Sequence, residues 1–557
     1  MEEIEFIKTD RQPVFDEMNP IHQPSCTMRL KSIFLAFLAM ATSGLAQTTN
    51  TSNDVGMDYA AVDTNAAAAV PRTVRELSLQ DCIELALREN LDLQIERTKP
   101  QVQLYSLRSY YGGYDPTITL SGQHDHSETA ATGTSGASTY DDNQVSGGIN
   151  GLLPWGTAYG VGSSPGAFGG FGPLTDATGR SSAFGTNVFQ TNSAPTGGAS
   201  GSVGVSASQS LLKNFWIDNT RLNIRVAKNR LKYSELGLKW QIIQTATTLE
   251  QAYYDLIYDR EYVVVQQKAV ELAERLVSEN KKKLEVGALA PLDLESAEAQ
   301  AAQNRADLIK ARSQLATQER KLKQLLTDKF PTWADIDLVP SGKLTDAHHV
   351  FDRQESWKKG LTERPDLLQS RLDVEKQGIT LKYDKNQLFP ELDVFGSYGY
   401  YGDGREYSDV LYQIQQRTQP YYTFGGKLSI PLANTSARNT YKSDKVTLQQ
   451  LLLTLKKAEQ SIMVNIDNDI GSSQSDYEQV LATRAARQYA ESALNAEQTK
   501  LQNGKSTVYT VLQMQRDLTT ARGNEIQALD TYNQSLSTLS QDEGSTLERL
   551  GIDVQAK

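Results

Sequence analysis

The chain has 557 residues with only 2 Cys, 17 Pro and 39 Gly, a formal net charge of −11 and a mean hydropathy of −0.47. Two cysteines exclude a disulfide scaffold, and the lack of repeated apolar runs of about 20 residues excludes a bundle of membrane helices. The acidic balance excludes nucleic acid and anionic lipid headgroups as main partners, since both are bound through basic patches.

Residues 1–27 form an acidic prefix ahead of Met28 that reads as a start placed too early, disordered and outside the fold. From Met28, Arg29 and Lys31 precede the apolar run from Ile33 to Ala41, and Gly44-Leu45-Ala46 supplies small residues where a signal peptidase reads. The run is too short to span a bilayer as a helix, so 28–46 predicts an export signal rather than an anchor. Removing 1–46 takes away six acidic and four basic residues and leaves the chain acidic. Gln47 follows, so no lipidated cysteine begins the mature chain, and Cys82 is its single thiol. Cys82 sits among Leu79, Ile83 and Leu85 in a helical pattern, which predicts a buried, inert thiol. Residues 47–76 read as a disordered linker.

Of the 39 glycines, 18 fall between Glu128 and Ser210, a stretch that cannot be helix. Proline marks the opposite: 214–330 holds one, Pro291, and none follows Pro431. Residues 219–286 predict a rod of about 70 residues, roughly 100 Å long, and 437–502 a second of similar length. Ile242, Leu249, Leu256, Val263, Val270, Val277 and Leu284 recur at sevens, as do Leu294, Ala301, Leu308, Leu315 and Leu322. That is the period of a left-handed supercoil, and only the turn from Gly287 to Pro291 separates the two runs. They predict an antiparallel helical hairpin. The second rod begins with Leu448, Leu455 and Ile462 in sevens, turns at Asn503-Gly504, and returns through Val511, Leu518, Leu529, Tyr532, Leu536 and Leu539.

Four short segments alternate instead, with a period of two. Leu392, Val394, Gly396, Tyr398 and Tyr400 share a face after Pro390, and Tyr422, Phe424, Gly426, Leu428 and Ile430 share another. Ile118, Leu120 and Gly122 follow Pro116, and Val203, Val205 and Ala207 complete the set. Faces that are apolar on one side and small and polar on the other suit a barrel wall between lipid and water, or equally a half-buried sheet. The export signal, with no further strands for a sandwich, favours the barrel.

The chain repeats itself. Asn90-Leu91-Asp92-Leu93 precedes Pro116 as Arg364-Pro365-Asp366-Leu367 precedes Pro390, both landmarks being offset by 274 positions. The helical turns at Gly287 and Gly504 are offset by only 217, so the first half carries 57 extra residues, which the glycine-rich segment supplies. Two copies of helix, strand, loop, strand, long helix, turn, long helix result. Two strands per copy cannot close a barrel, and an open edge cannot face lipid, so the chain is expected to oligomerise.

From about Leu77 to Leu550 the sequence resembles the TolC family of outer membrane efflux proteins. The resemblance rests on Leu77-Ser78-Leu79 with 86–93, on Arg364-Pro365-Asp366-Leu367, on Leu388-Phe389-Pro390-Glu391-Leu392, and on Val286-Gly287-Ala288-Leu289-Ala290-Pro291-Leu292-Asp293 at the first turn. It implies a mainly α fold with a β-barrel portion. Three chains would supply four strands each to a twelve-stranded transmembrane barrel, continued through the periplasm by a long antiparallel coiled-coil α-barrel. It further implies a first repeat over 77–327, an equatorial segment over 328–354, a second repeat over 355–541 and a tail over 542–557. The glycine-rich 128–200 would be an extracellular loop, with strand pieces at 144–151 and 157–162 extending the hairpin.

The family's function is passive exit across the outer membrane for cargo delivered by an inner-membrane pump through a periplasmic adaptor. Efflux of toxic small molecules is the first expectation. A duct for secreted polypeptides, or a pore-less periplasmic coiled-coil scaffold, is the alternative. By resemblance the two helical turns form the tip that meets the adaptor, here Val286, Gly287, Ala288, Leu289, Pro291 and Asp293 with Asn503, Gly504, Lys505 and Ser506. Where well-known members carry aperture carboxylates this chain has Thr510 and Gln513, so a cation-attracting ring is not expected. Asn280-Lys281-Lys282-Lys283, Lys500 and Lys505 flank the tips and read as a solvated face or a rim for an acidic adaptor.

No hydrolytic or redox constellation is present. The pairs His124/His126 and His348/His349 lack a zinc-ligand spacing, and no phosphate-cradling glycine loop appears. Neither enzyme activity, nor a metal, nor a cofactor is expected.

Overall fold

A computed structural model describes residues 73–129, 138–165, 199–285, 290–404 and 407–552. The predicted signal, the prefix and most of the linker lie outside the described residues, as do 130–137 and 166–198 of the glycine-rich stretch.

The chain opens with β1 (Thr73–Leu77), α1 (Leu79–Glu89) and α2 (Leu91–Tyr111). Ser78 and Asp81 form a reciprocal capping box that starts α1, and Asn90 starts α2 by accepting from the Leu93 amide. Four strands follow: β2 (Thr117–Thr129), β3 (Ser138–Leu152), β4 (Thr157–Pro165) and β5 (Ala199–Ser210). The first rod and its return are α3 (Asn219–Glu285) and α4 (Pro291–Leu326). Next come α5 (Phe330–Trp333), β6 (Ile336–Pro340), α6 (Arg353–Glu363) and α7 (Pro365–Gln387). The second pair of wall strands is β7 (Glu391–Gly404) and β8 (Gln419–Ser429), with α8 (Tyr407–Gln416) between them. The second rod is α9 (Thr435–Gln502), and α10 (Val508–Glu543) and α11 (Thr546–Arg549) complete the chain.

The rods form the two antiparallel hairpins that the heptads predict. Across α3 and α4, Asn304 donates to the Ala269 carbonyl and Gln318 to that of Ala252. Across α9 and α10, Arg487 pairs with Glu525, and Arg522 with Glu491 at 3.0 Å. The heptad positions Ile242, Leu249, Leu256 and Val270 are buried on α3, and Ala301 and Leu322 answer them on α4. Both hairpins share one apolar cluster, in which Leu276 and Ala297 meet Leu494, Val508, Val511 and Leu512. The two helical turns therefore lie at the same end of the molecule.

The internal repeat is visible as matched helix starts. Asn90 donates to the Leu325 carbonyl at the head of the first repeat. Arg364, at the equivalent place in the second, pairs with Asp366 and Asp542 at 2.9 and 3.0 Å and lies over the Trp240 ring.

Four expectations are corrected. Among the described residues the sheet has six strands, in the order β2-β3-β4-β5-β7-β8, rather than four. The segment 128–200, expected as an outer loop with strand pieces at 144–151 and 157–162, contributes β3 and β4 to that sheet: the strand pieces are there, but they belong to the sheet, β3 pairing with β2 and β4 with β5 along their length. Residues 73–76, placed in the linker, form with Leu77 a strand pairing in parallel with β6 of the equatorial segment, and Tyr253 locks this pairing by donating to the Leu77 carbonyl. The tail 542–557 begins as the last residues of α10 and continues as α11, which docks on α3 through Arg549 and Glu250. No helix among the described residues is long and apolar enough to cross a membrane, a statement about helices alone.

Candidate channel wall and helical tip

Register turns the six strands into a surface with two different sides. One row of directly paired residues runs Ile118, Ile149, Val161, Val205, Tyr398, Tyr422 across all six strands. All are large and apolar or aromatic, and each is 41–73% exposed. The next row, on the opposite side, runs Thr117, Asn150, Gly160, Ser206, Ser397, Thr423, all small or polar. Side chains alternate sides along a strand, so register alone produces a greasy face and a wet one.

A further row on the wet side is Thr119, Gly148, Gly162, Gly204, Gly399, Tyr421. Its glycines are required by close approach. A Cβ at Gly162 would stand 2.9 Å from the Gly147 carbonyl, and one at Gly204 would meet the Tyr421 hydroxyl at 2.6 Å. Among the described residues the outer strands β2 and β8 each pair on one side only.

At the opposite end of the rods, the second turn ends α9 in a left-handed cap. Gly504 has φ +71°, its amide donates to the Leu501 carbonyl, and the Lys505 amide reaches back to that of Lys500 at 2.8 Å. These two bonds satisfy carbonyls that the helix end leaves free. Asn503 adds a side-chain bond to the Thr499 carbonyl. Ser506 donates to Glu497, which also pairs with Lys500 at 2.8 Å; the Lys500 and Ser506 bonds together hold the Glu497 carboxyl below its ordinary range. Thr507 caps α10 by accepting from the Thr510 amide, with the two hydroxyls 2.9 Å apart.

Thr510 is thus half-buried and committed to the cap, whereas Gln513 is exposed one turn further on, as is Tyr509. Tyr509 was not singled out from sequence; its place beside two buried valines, Val508 and Val511, was the available signal. Of the first turn, Pro291 begins α4 and Asp293 stands in its first turn, where the helix N-terminus favours a carboxylate. Val286, Gly287, Ala288 and Leu289 lie outside the described residues. His348 and His349 pack against Tyr477 and Phe351.

The outer membrane efflux protein family matches residues 177–327 and 358–544, more than half of the chain and both of its repeats. The chain belongs to the outer membrane efflux protein family. It is also 25% identical over 390 residues to the outer membrane protein TolC of Vibrio cholerae, covering 67% of this chain and 83% of that one. Among solved structures it resembles the Campylobacter jejuni CmeC outer membrane channel (TM-score 0.61, 14% identity, 84% of this chain and 86% of that one). The outer membrane protein VceC of Vibrio cholerae is a second neighbour (TM-score 0.60, 16% identity, 84% and 96%). At these identities the neighbours show the fold, an α-barrel half joined to a β-barrel half. This efflux protein is an outer membrane protein.

Proposed function

We propose that three copies of this efflux protein close a water-filled cylinder, giving passive exit from periplasm to exterior for cargo supplied by an inner-membrane pump through a periplasmic adaptor. The observation that carries the reading is the two-sided sheet whose outer strands each leave one edge unpaired among the described residues. Its exposed apolar row favours hydrocarbon, yet the free N–H and C=O groups of β2 and β8 cannot stand in hydrocarbon, where each would cost several kcal/mol. Pairing β8 of one copy with β2 of the next satisfies both edges and puts the small polar rows inside.

The shared apolar cluster that brings the two turns together supports an assignment of Pro291, Asp293, Asn503, Gly504, Lys505 and Ser506 to the adaptor-facing tip. Gln513, with Thr510 behind it, would face the narrowest part. Rings of these uncharged side chains attract cations far less than carboxylate rings do. Toxic small molecules are the cargo we assign. A strain lacking this chain should become hypersensitive to such compounds and recover with the wild-type chain. Unchanged sensitivity in the deletion strain, with the pump and adaptor present, would remove the efflux assignment.

A further inference from the structure

Among the described residues the hairpin β3–β4 has no counterpart in the second repeat, where β7 is followed by the short helix α8 and then β8. It could be a flap displayed outside the cell or a part of the wall, and four independent observations decide between them.

Register is the first. Ile149 and Val161 fall in the exposed apolar row that runs unbroken from Ile118 on β2 to Tyr422 on β8, and Asn150 and Gly160 fall in the small polar row behind it. A flap beyond the membrane has no reason to repeat the two-sided pattern in step with its neighbours. Depth is the second. Thr117 at the foot of β2 pairs with Asn150, and Gln209 near the foot of β5 pairs with Thr157, so the hairpin reaches the helical end of the sheet.

Anchorage is the third. The β3–β4 turn closes with the Gly156 amide donating to the Leu153 carbonyl, Gly156 at φ +95°. This turn lies against Arg221 in the first turns of α3, close enough that a Cβ on Gly156 would stand 2.8 Å from the guanidinium. Arg221 is itself held by Asp218 and the Asn214 carbonyl. Fourth, Trp155 in that turn is 61% exposed at the same end as the exposed Trp216. Tryptophan at that level is what a membrane–water boundary selects.

We infer that β3–β4 is a bilayer-embedded segment of the wall, its outer row in contact with lipid acyl chains, so that each chain contributes six strands. This rests on the proposed trimeric barrel. Three copies of a six-stranded sheet close a ring of eighteen strands, and barrel diameter grows roughly in proportion to strand number. The exit is then about one and a half times as wide as a ring of twelve would be. Both inserted strands are long enough for the task, 15 and 9 residues, against about 9–11 for a tilted spanning strand.

Spin labels on single cysteines test this in the assembled protein reconstituted into phospholipid vesicles. Cys82 is fully buried with its thiol pushed up to about 12 by burial, so it does not compete for label. Labels at Ile149→Cys and Val161→Cys should collide with membrane-dissolved oxygen over aqueous nickel chelate in ratios within about twofold of those at Val205→Cys and Tyr422→Cys, as one lipid-facing band requires. Asn150→Cys should show the reverse preference. If 149 and 161 favour the nickel chelate while 205 and 422 favour oxygen, the hairpin is a flap and the inference is overturned with the barrel intact. If all four favour nickel, the barrel itself fails. Electron micrographs of the unmodified protein supply a check that needs no variant: a ring of twelve-strand width overturns the inference, and the wider ring supports it.

Discussion

Arg549→Ala probes how the C-terminal end of the chain is fastened. From α11, Arg549 reaches into the middle of α3 with two guanidinium nitrogens, 2.8 Å from Glu250 Oε1 and 2.5 Å from Oε2. Glu250 is fully buried and also accepts from the Tyr254 hydroxyl at 2.9 Å and the Ser537 hydroxyl at 2.6 Å. The variant leaves a buried carboxylate with two hydroxyl donors and no counter-charge. Breaking one side of a buried ion pair costs about 3–5 kcal/mol, and because the Arg549 side chain is 36% exposed we take the lower figure, about 3 kcal/mol.

α11 is a single turn, so the loss falls on its local opening, and about 3 kcal/mol corresponds to roughly hundredfold faster amide exchange. The reporters are the Arg549 and Leu550 amides, which donate to the Ser545 and Thr546 carbonyls. Hydrogen exchange read by mass spectrometry on the assembled protein measures it. The double variant Glu250→Gln with Arg549→Met should recover most of the protection, since it removes both charges. Unchanged exchange in Arg549→Ala refutes the ion pair as the fastening, and equal acceleration in the double variant refutes the charge argument.

Gly504→Val forces a β-branched residue to φ +71° with no atom of the described residues within 4 Å of its Cβ, so the cost is backbone strain of about 1–2 kcal/mol confined to the turn. Assembly read by heat-modifiable electrophoresis should be unchanged while protection against toxic compounds falls. The pair Thr510→Asp and Gln513→Asp should make the channel cation-selective and sensitive to block by multivalent cations, measured as a shift in reversal potential; the first of these carboxylates stands at a helix start, where it is well tolerated. Asp530 is pushed up to about 7 by burial and then by Asp255, and Asp259 to about 6 by the same two causes. The folded chain therefore holds protons that the unfolded chain has lost between about pH 4 and about pH 7, and stability falls as pH rises through that window. Asp530→Asn should raise the melting temperature near about pH 8 and flatten its decline from about pH 5, as followed by circular dichroism.

The helical half was legible because its signals are strong and local. Proline depletion set the length of α3 and α9, sevens set the seam, and Asn503-Gly504 marked a turn that the structure closes with the bonds expected of such a cap. Four wall strands were legible for the same reason: Pro116 and Pro390 open them, and large apolar residues alternate cleanly along β7 and β8. β3 and β4 were legible only as short strand pieces, 144–151 and 157–162, within an outer loop. Gly147, Gly148, Gly151, Gly160 and Gly162 occupy these strands, and at Gly148, Gly151 and Gly162 neighbouring backbones or the Tyr159 ring crowd the space a side chain would need. Glycine at that density erases the alternation by which a strand is read.

β1 was missed because a short parallel strand is defined by its partner β6, more than 250 residues away, and not by its own five residues. α11 was missed because its reason for folding is Glu250 on another helix. At the tip, sequence placed Thr510 and Gln513 together, but only the cap geometry shows that Thr510 is spent on holding α10 and that Gln513 is the exposed one.

Identical copies of the chain, joined edge to edge, should close a wet cylinder with a greasy outside at one end. Purified protein added to a planar lipid film tests it most directly. Discrete, long-lived ion-current steps should come from a detergent-stable trimer that collapses to a single chain on heating; a monodisperse single chain that leaves the film silent would mean that no such cylinder forms.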